Sequence, residues 1–151
     1  MKTILTALTL LGCVMVPIVG SSTRKENSYV STVYIRKETS FTLETLTIYN
    51  PTRRQCDRTP LITASNKKID LAKLSSQQLR WMALSRNLLK RWNGAFAYGD
   101  TVLVTSGDPA IDGLWVIHDT LNKRYENRGD LLFDKNVRTL GKWKNVKISK
   151  L

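Results

Sequence analysis

The stretch that decides the reading of this chain is GLWVIHDTLNKRYENRGDLLF, Gly113–Phe133. Its two ends, Gly113 to Thr120 and Asp130 to Phe133, are short apolar runs rich in aliphatic and aromatic residues and bounded by polar ones, so both are expected to be strands. Each run carries one aspartate, Asp119 and Asp130, set 11 positions apart. A carboxylate in an apolar strand is costly unless something compensates it, and two in neighbouring strands call for a reason.

At a period of two, Trp115, Ile117 and Asp119 are expected on one face of their strand, and Leu114, Val116 and His118 on the other. If Asp130 approaches Asp119 from the adjacent segment, their repulsion raises one pKa of the pair and leaves an acid protonated near neutrality. Cleavage of a glycosidic bond needs such an acid. Arg128, on the same face as Asp130, acts in the opposite sense. A structural alternative stands beside this reading, in which the two aspartates cap turns or pair with Arg124 or Arg128.

Outward from this stretch the chain reads as a mostly β domain of short strands with one or two helices. Tyr29 to Arg36 and Phe41 to Tyr49 alternate apolar and polar residues and are expected to pair as a hairpin. Leu61 to Ala64, Thr101 to Thr105 and Val146 to Ser149 are further strand candidates, and Asn66 suits a left-handed backbone position. From Ser75 to Trp92, apolar residues recur mostly at three and four, which predicts a helix capped by Ser75 or Ser76; a strand at Arg80–Leu84 running into a shorter helix at Arg86–Trp92 is the alternative.

The first residues have the order of a secretory signal: Lys2, an apolar run from Ile4 to Val19, then Gly20, Ser21 and Ser22. The expected organisation is a signal peptide over 1–21, an extension over 22–48 and a barrel domain over 49–151, with export to the periplasm, envelope or exterior. Leu10-Leu11-Gly12-Cys13 also has the form of a lipidation site, which would anchor the chain to a membrane, but the apolar run continues past Cys13 and simple secretion is favoured. Cleavage after Cys13 leaves Cys56 alone, so no intramolecular disulfide is expected. The formal charge is +12, of which the leader contributes only Lys2. Such a charge attracts polyanions, and for an exported chain an anionic envelope polymer is more accessible than nucleic acid.

With these pieces in place, Leu61–Asn66, Met82–Asn87, Tyr98–Val104, Gly113–Thr120, Asn127–Phe133 and Gly141–Ile148 resemble the 3D domain, a double-psi β-barrel named for three aspartates. It is shared by the membrane-bound lytic transglycosylase A family and the stationary-phase survival muralytic proteins. The resemblance spans roughly residues 49–148 and implies a mostly β, six-stranded double-psi β-barrel with one or two short helices. It further implies cleavage of the β-1,4 bond between N-acetylmuramic acid and N-acetylglucosamine in peptidoglycan, without water and with a 1,6-anhydro product. Asp130 would be the single acid/base and Asp119 its partner. Thr63 and Ala64 match the family's Thr-Ala segment, which lines the cleft, and Asp119-Thr120 matches its Asp-Thr. The chain departs from the pattern at Ser85, where the first aspartate of the family falls, at Asn66 in place of a glycine, and over the bulky Leu121–Asn127.

Substrate contacts are therefore expected from Thr63, Ala64 and Thr120, with Lys123, Arg124 and Arg128 beside the aspartates steering muramyl peptide carboxylates or remaining solvated. The expected partner is the peptidoglycan glycan strand. His118 is expected to be packed or at the surface, and Trp92, Trp115 and Trp143 to serve the core before any sugar. One histidine and one remaining cysteine make no ligand cluster, so no metal and no cofactor is expected. The reading from another class is a non-catalytic glycan-binding barrel that holds the wall with the same cleft.

Overall fold

Where Thr, Val, Ile, Leu and aromatics dominate short segments, the backbone is extended, because branched and aromatic side chains pack well on a pleated surface. The computed structural model describes residues 38–137 and 141–151. Within them the strands are β1 (Ser40–Tyr49), β2 (Trp81–Leu84), β3 (Thr101–Thr105), β4 (Gly113–Thr120), β5 (Arg128–Leu132) and β6 (Trp143–Lys150). They close into a barrel in the order β1-β5-β2-β4-β3-β6. The leader, with Cys13, and the expected strand Tyr29–Arg36 lie outside the described residues.

Two pairings are parallel, β1 with β5 and β2 with β4, and the others are antiparallel. β4 and β5 follow each other in sequence, yet they flank β2 instead of pairing with each other; β5 and β6 flank β1 in the same way. These two interlocked arrangements make a double-psi barrel, the fold expected from sequence. β1 is an integral stave, so the barrel begins at Ser40 and takes in most of a strand that the sequence reading placed in the extension before residue 49.

The barrel interior holds Leu43, Leu46, Met82, Leu84, Val102, Val104, Trp115, Ile117, Leu131, Val146 and Ile148, all nearly or fully buried. A second, smaller cluster of Tyr49, Ile69, Leu74, Leu79, Ala83, Leu121 and Leu132 packs the β1–β2 connection onto the outer face. β2 thus serves both clusters: Met82 and Leu84 point in, and Ala83 points out.

That double burial explains why the helix expected over Ser75–Trp92 does not form. A strand buried on both faces shows an unbroken apolar run rather than alternation, and such a run mimics helical spacing. The segment instead contains the strand β2, followed by two 3-10 turns, Arg86–Leu88 and Lys90–Trp92. The only α-helix among the described residues is the short α1 (Leu71–Ser75), capped by Asp70, whose carboxylate accepts from the Ala72 and Lys73 N–H groups. Past it, Gln77 takes a positive φ of 58°, which stops further winding. Leu61–Ala64 contributes only an isolated bridge, Ile62 to Lys68, and Asn66 has the left-handed φ (62°) that its residue type favours.

The register along β4 contains one irregularity with large consequences. Met82 pairs with Ile117, but the next residue, Ala83, pairs with Asp119, so His118 is an extra residue in β4. A bulge of this kind reverses the in–out alternation beyond it. Trp115 and Ile117 lie in the interior cluster, whereas Leu121, at the same alternation as Asp119, lies in the outer one. The expectation that Asp119 shares a face with Trp115 is therefore overturned.

Candidate active site

Asp119 and Asp130 meet on the outer face of the barrel because of the psi connection. The residues 121–127 carry the chain from the end of β4, over the end of β2, to the start of β5. Ala83 of β2 is in register with Asp119 on one side and with Asp130 on the other. Thr47 of β1 continues the row beyond Asp130. The two aspartate Cα atoms are thus two strand spacings apart, roughly 10 Å. Ala83, in register between them, presents only a methyl group.

Asp130 is half-buried and accepts a hydrogen bond from the Thr47 hydroxyl. Burial raises its pKa above the ordinary carboxylate value, and the charge of Asp119 adds to the rise; the Thr47 bond and the charge of Arg128 oppose it without cancelling it. Repulsion within the pair, the cause expected from sequence, is real but smaller than desolvation. Neither aspartate forms an ion pair among the described residues.

Asp119 is held by three donors. The Tyr49 hydroxyl donates at 3.0 Å, the Ala64 N–H at 2.9 Å, and the Thr120 N–H at 2.9 Å. Burial, then the neighbouring Asp119, pushes the Tyr49 phenol well above its usual range, so Tyr49 remains a donor. Through Ala64, Asp119 also pins the 63–66 turn to the barrel. A second clip supports that turn: Ser65 donates its N–H to the His118 carbonyl at 3.1 Å, and its hydroxyl lies 3.0 Å from His118 Nδ1. The His118 ring packs edge-on against Trp81 at 4.5 Å. His118 is therefore a packed residue that holds a loop.

These groups line a cleft of about 850 Å³ that contains Tyr49, Thr63, Ala64, Ala83, Asp119, Thr120 and Asp130. Of the residues singled out from sequence, Asp119, Asp130, Thr63, Ala64 and Thr120 come together there. Lys123 is exposed outside the lining, and Arg128 stacks over the Tyr125 ring at 5.2 Å, also outside it. Ser85 does not face the cleft. It is fully buried, donates its N–H to the Arg128 carbonyl at 2.9 Å and accepts the Arg128 N–H on its hydroxyl at 3.0 Å, which ties the end of β2 to the start of β5.

Tyr49, Ala83 and Arg86 are cleft residues that the sequence did not reveal as such, and neither did it reveal Thr47 as the donor to Asp130. Strand pattern alone announced Thr47 and Tyr49, and their closeness to the aspartates follows only from the β1–β5 pairing. Cys56 also lines the cleft, and burial followed by the charge of Asp119 raises its thiol pKa, which makes it a poor nucleophile. Trp115 is a core residue whose indole N–H donates to the Ile111 carbonyl at 2.8 Å, and Trp143 donates to Asp108 at 3.0 Å. Neither lines the cleft. Among the described residues, no group of three His, Cys, Asp or Glu side chains is placed to hold a metal ion.

No protein-family model matches this chain, and no curated protein does.

Proposed function

We propose that the barrel is an exported lytic transglycosylase that cleaves the bond between N-acetylmuramic acid and N-acetylglucosamine in peptidoglycan. One observation carries the reading: Asp130 lies in an open cleft, and burial raises its pKa while Thr47 donates to the charged form. Such a carboxyl is suited to give a proton and then to take one back.

In this mechanism Asp130 protonates the leaving glycosidic oxygen as the C1–O bond breaks. Its carboxylate then removes the proton of the muramic acid's own 6-hydroxyl as that oxygen bonds to C1, which closes the 1,6-anhydro ring. The proton lost in the first step returns in the second, and no water is consumed. Because the nucleophile belongs to the substrate, one carboxyl serves both steps, unlike the two carboxyls of a hydrolase. Asp119 acts beside it by fixing the Thr63–Ser65 wall of the cleft, with Thr120 next to it.

The test is release of 1,6-anhydromuropeptides from purified sacculi by the mature protein, read by mass spectrometry. Asp130→Asn should abolish release and retain binding. An unmutated, folded protein that releases nothing would exclude the enzyme. The second reading, a non-catalytic glycan-binding barrel, is favoured by Ser85: the acid of the related pattern is replaced there by a buried tie between strands. Sacculus binding without any anhydro product would select it.

A further inference from the structure

Three separate connections each deliver one guanidinium to the cleft. Arg54 comes from the loop after β1, Arg86 from the turn after β2, and Arg124 from the crossing between β4 and β5. Among the described residues no lysine lines the cleft, although lysines crowd the 67–73 segment and β6. The selection matters, because a guanidinium presents a planar fork that matches a carboxylate bidentately, whereas an ammonium is a point charge.

None of the three is ion-paired among the described residues. Asp57 lines the same cleft, but its carboxylate accepts from the Thr59 N–H and hydroxyl at 2.7 and 3.0 Å. Arg86 packs over the Trp92 ring at 5.2 Å, and its buried Nε–H has no acceptor. Arg124 packs over the Tyr125 ring at 4.8 Å and donates to the Tyr125 hydroxyl at 2.8 Å. Two of the three arginines are therefore positioned by aromatic rings, with N–H groups to spare.

We infer that Arg54, Arg86 and Arg124 form a carboxylate-binding subsite beside Asp130, which selects glycan strands by the anionic substituents on muramic acid. The inference rests on the glycan reading of the cleft. Two sources supply the same chemistry: the carboxylates of an attached stem peptide, or the lactyl carboxylate that is freed when the peptide is removed.

Binding is measured with the full mature chain carrying Asp130→Asn and three soluble probes. These are peptide-bearing strands, the same strands with their carboxylates converted to methylamides, and strands stripped by an amidase. At least one carboxylate-bearing probe, intact or stripped, should bind roughly tenfold more tightly than the amidated strands, and Arg124→Gln or Arg54→Gln should each remove much of that difference while leaving amidated strands unaffected. Arg86→Lys, which keeps the charge and loses the fork, should weaken binding of the same probe in a protein whose melting curve is unchanged. Arginine-dependent affinity for stripped strands alone assigns the site to the lactyl carboxylate; for intact strands, it assigns the site to the stem peptide. Equal binding of intact, stripped and amidated strands overturns the subsite and leaves the glycan reading standing. Failure of all three probes to bind overturns both.

Discussion

The Tyr49 hydroxyl, at the end of β1, donates to the Asp119 carboxylate, at the end of β4, across 3.0 Å and 70 positions of sequence. Neither strand is hydrogen-bonded to the other in the barrel. The bond spans the face over β5 and β2, and so stiffens the floor of the cleft across its width.

Tyr49→Phe should therefore loosen the site without emptying the core. The ring stays, and Asp119 keeps only two N–H donors. A hydrogen bond to a charged group of this kind contributes about 1.5–3 kcal/mol, so the urea midpoint should fall accordingly with an unchanged slope. Amide exchange of the Ala64 N–H should speed up, since its acceptor becomes less well held.

Thr47→Val removes the donor that stabilises the ionised Asp130. The Asp130 pKa, already raised by burial, should rise further, and Thr47→Ser should leave it near the wild-type value. Carboxyl carbon NMR titration of Asp130 reads this directly. A lower pKa in Thr47→Val would contradict the arrangement.

Asp130→Asn should stabilise the fold at neutral pH. A carboxyl whose folded pKa lies above its unfolded one is bound to its proton more tightly in the folded state, so it costs stability as pH rises past the ordinary carboxylate range. The melting temperatures of wild type and variant should converge at low pH. They should separate in favour of Asn as the pH rises through the folded pKa, and stay separated above it.

His118 gives the opposite slope at higher pH. Burial, then the charge of Lys67, lowers its pKa below the ordinary value of 6.5, so the unfolded chain binds the proton more readily. Stability should fall as pH drops below about 6.5, and His118→Gln, which keeps an acceptor for Ser65, should flatten that part of the profile. Denaturation midpoints at several pH values for both proteins measure the difference.

Gly129→Ala probes packing alone. A Cβ there would lie 3.0 Å from Leu46 Cδ1, 3.1 Å from Leu43 Cδ1 and 3.3 Å from Met82 Cε, all in the interior cluster. Overpacking of this kind costs about 1–3 kcal/mol, visible as a lower melting temperature.

The strands β3 to β6 were legible in sequence because each keeps one wet face, or lies between clear turns, so that pattern and boundary agree. β2 was legible only as the alternative strand at Arg80–Leu84, because Met82, Ala83 and Leu84 are all buried and leave no alternation to read. α1 is held by the Asp70 cap over only five residues, too few for a periodic signal. The aspartate pair was legible as an anomaly, carboxylates where apolar residues belong, but the direction of Asp119 was not, since one extra residue in β4 leaves no compositional trace. The partners Thr47 and Tyr49, and the convergence of Arg54, Arg86 and Arg124, depend on which strands the psi connections place side by side, and no local pattern encodes that.

The bulge in β4 takes up His118 without turning the acid that follows it. Substitutions at His118 change what clips the 63–66 turn but keep Asp119 pointing out; even deletion of His118 would seat Asp119 directly after the inward Ile117 and opposite Ala83, closing the ladder without a bulge and still aiming the carboxylate outward. The strand thus separates two duties, and a chain that lost the clip on the turn would still deliver its acid to the same cleft.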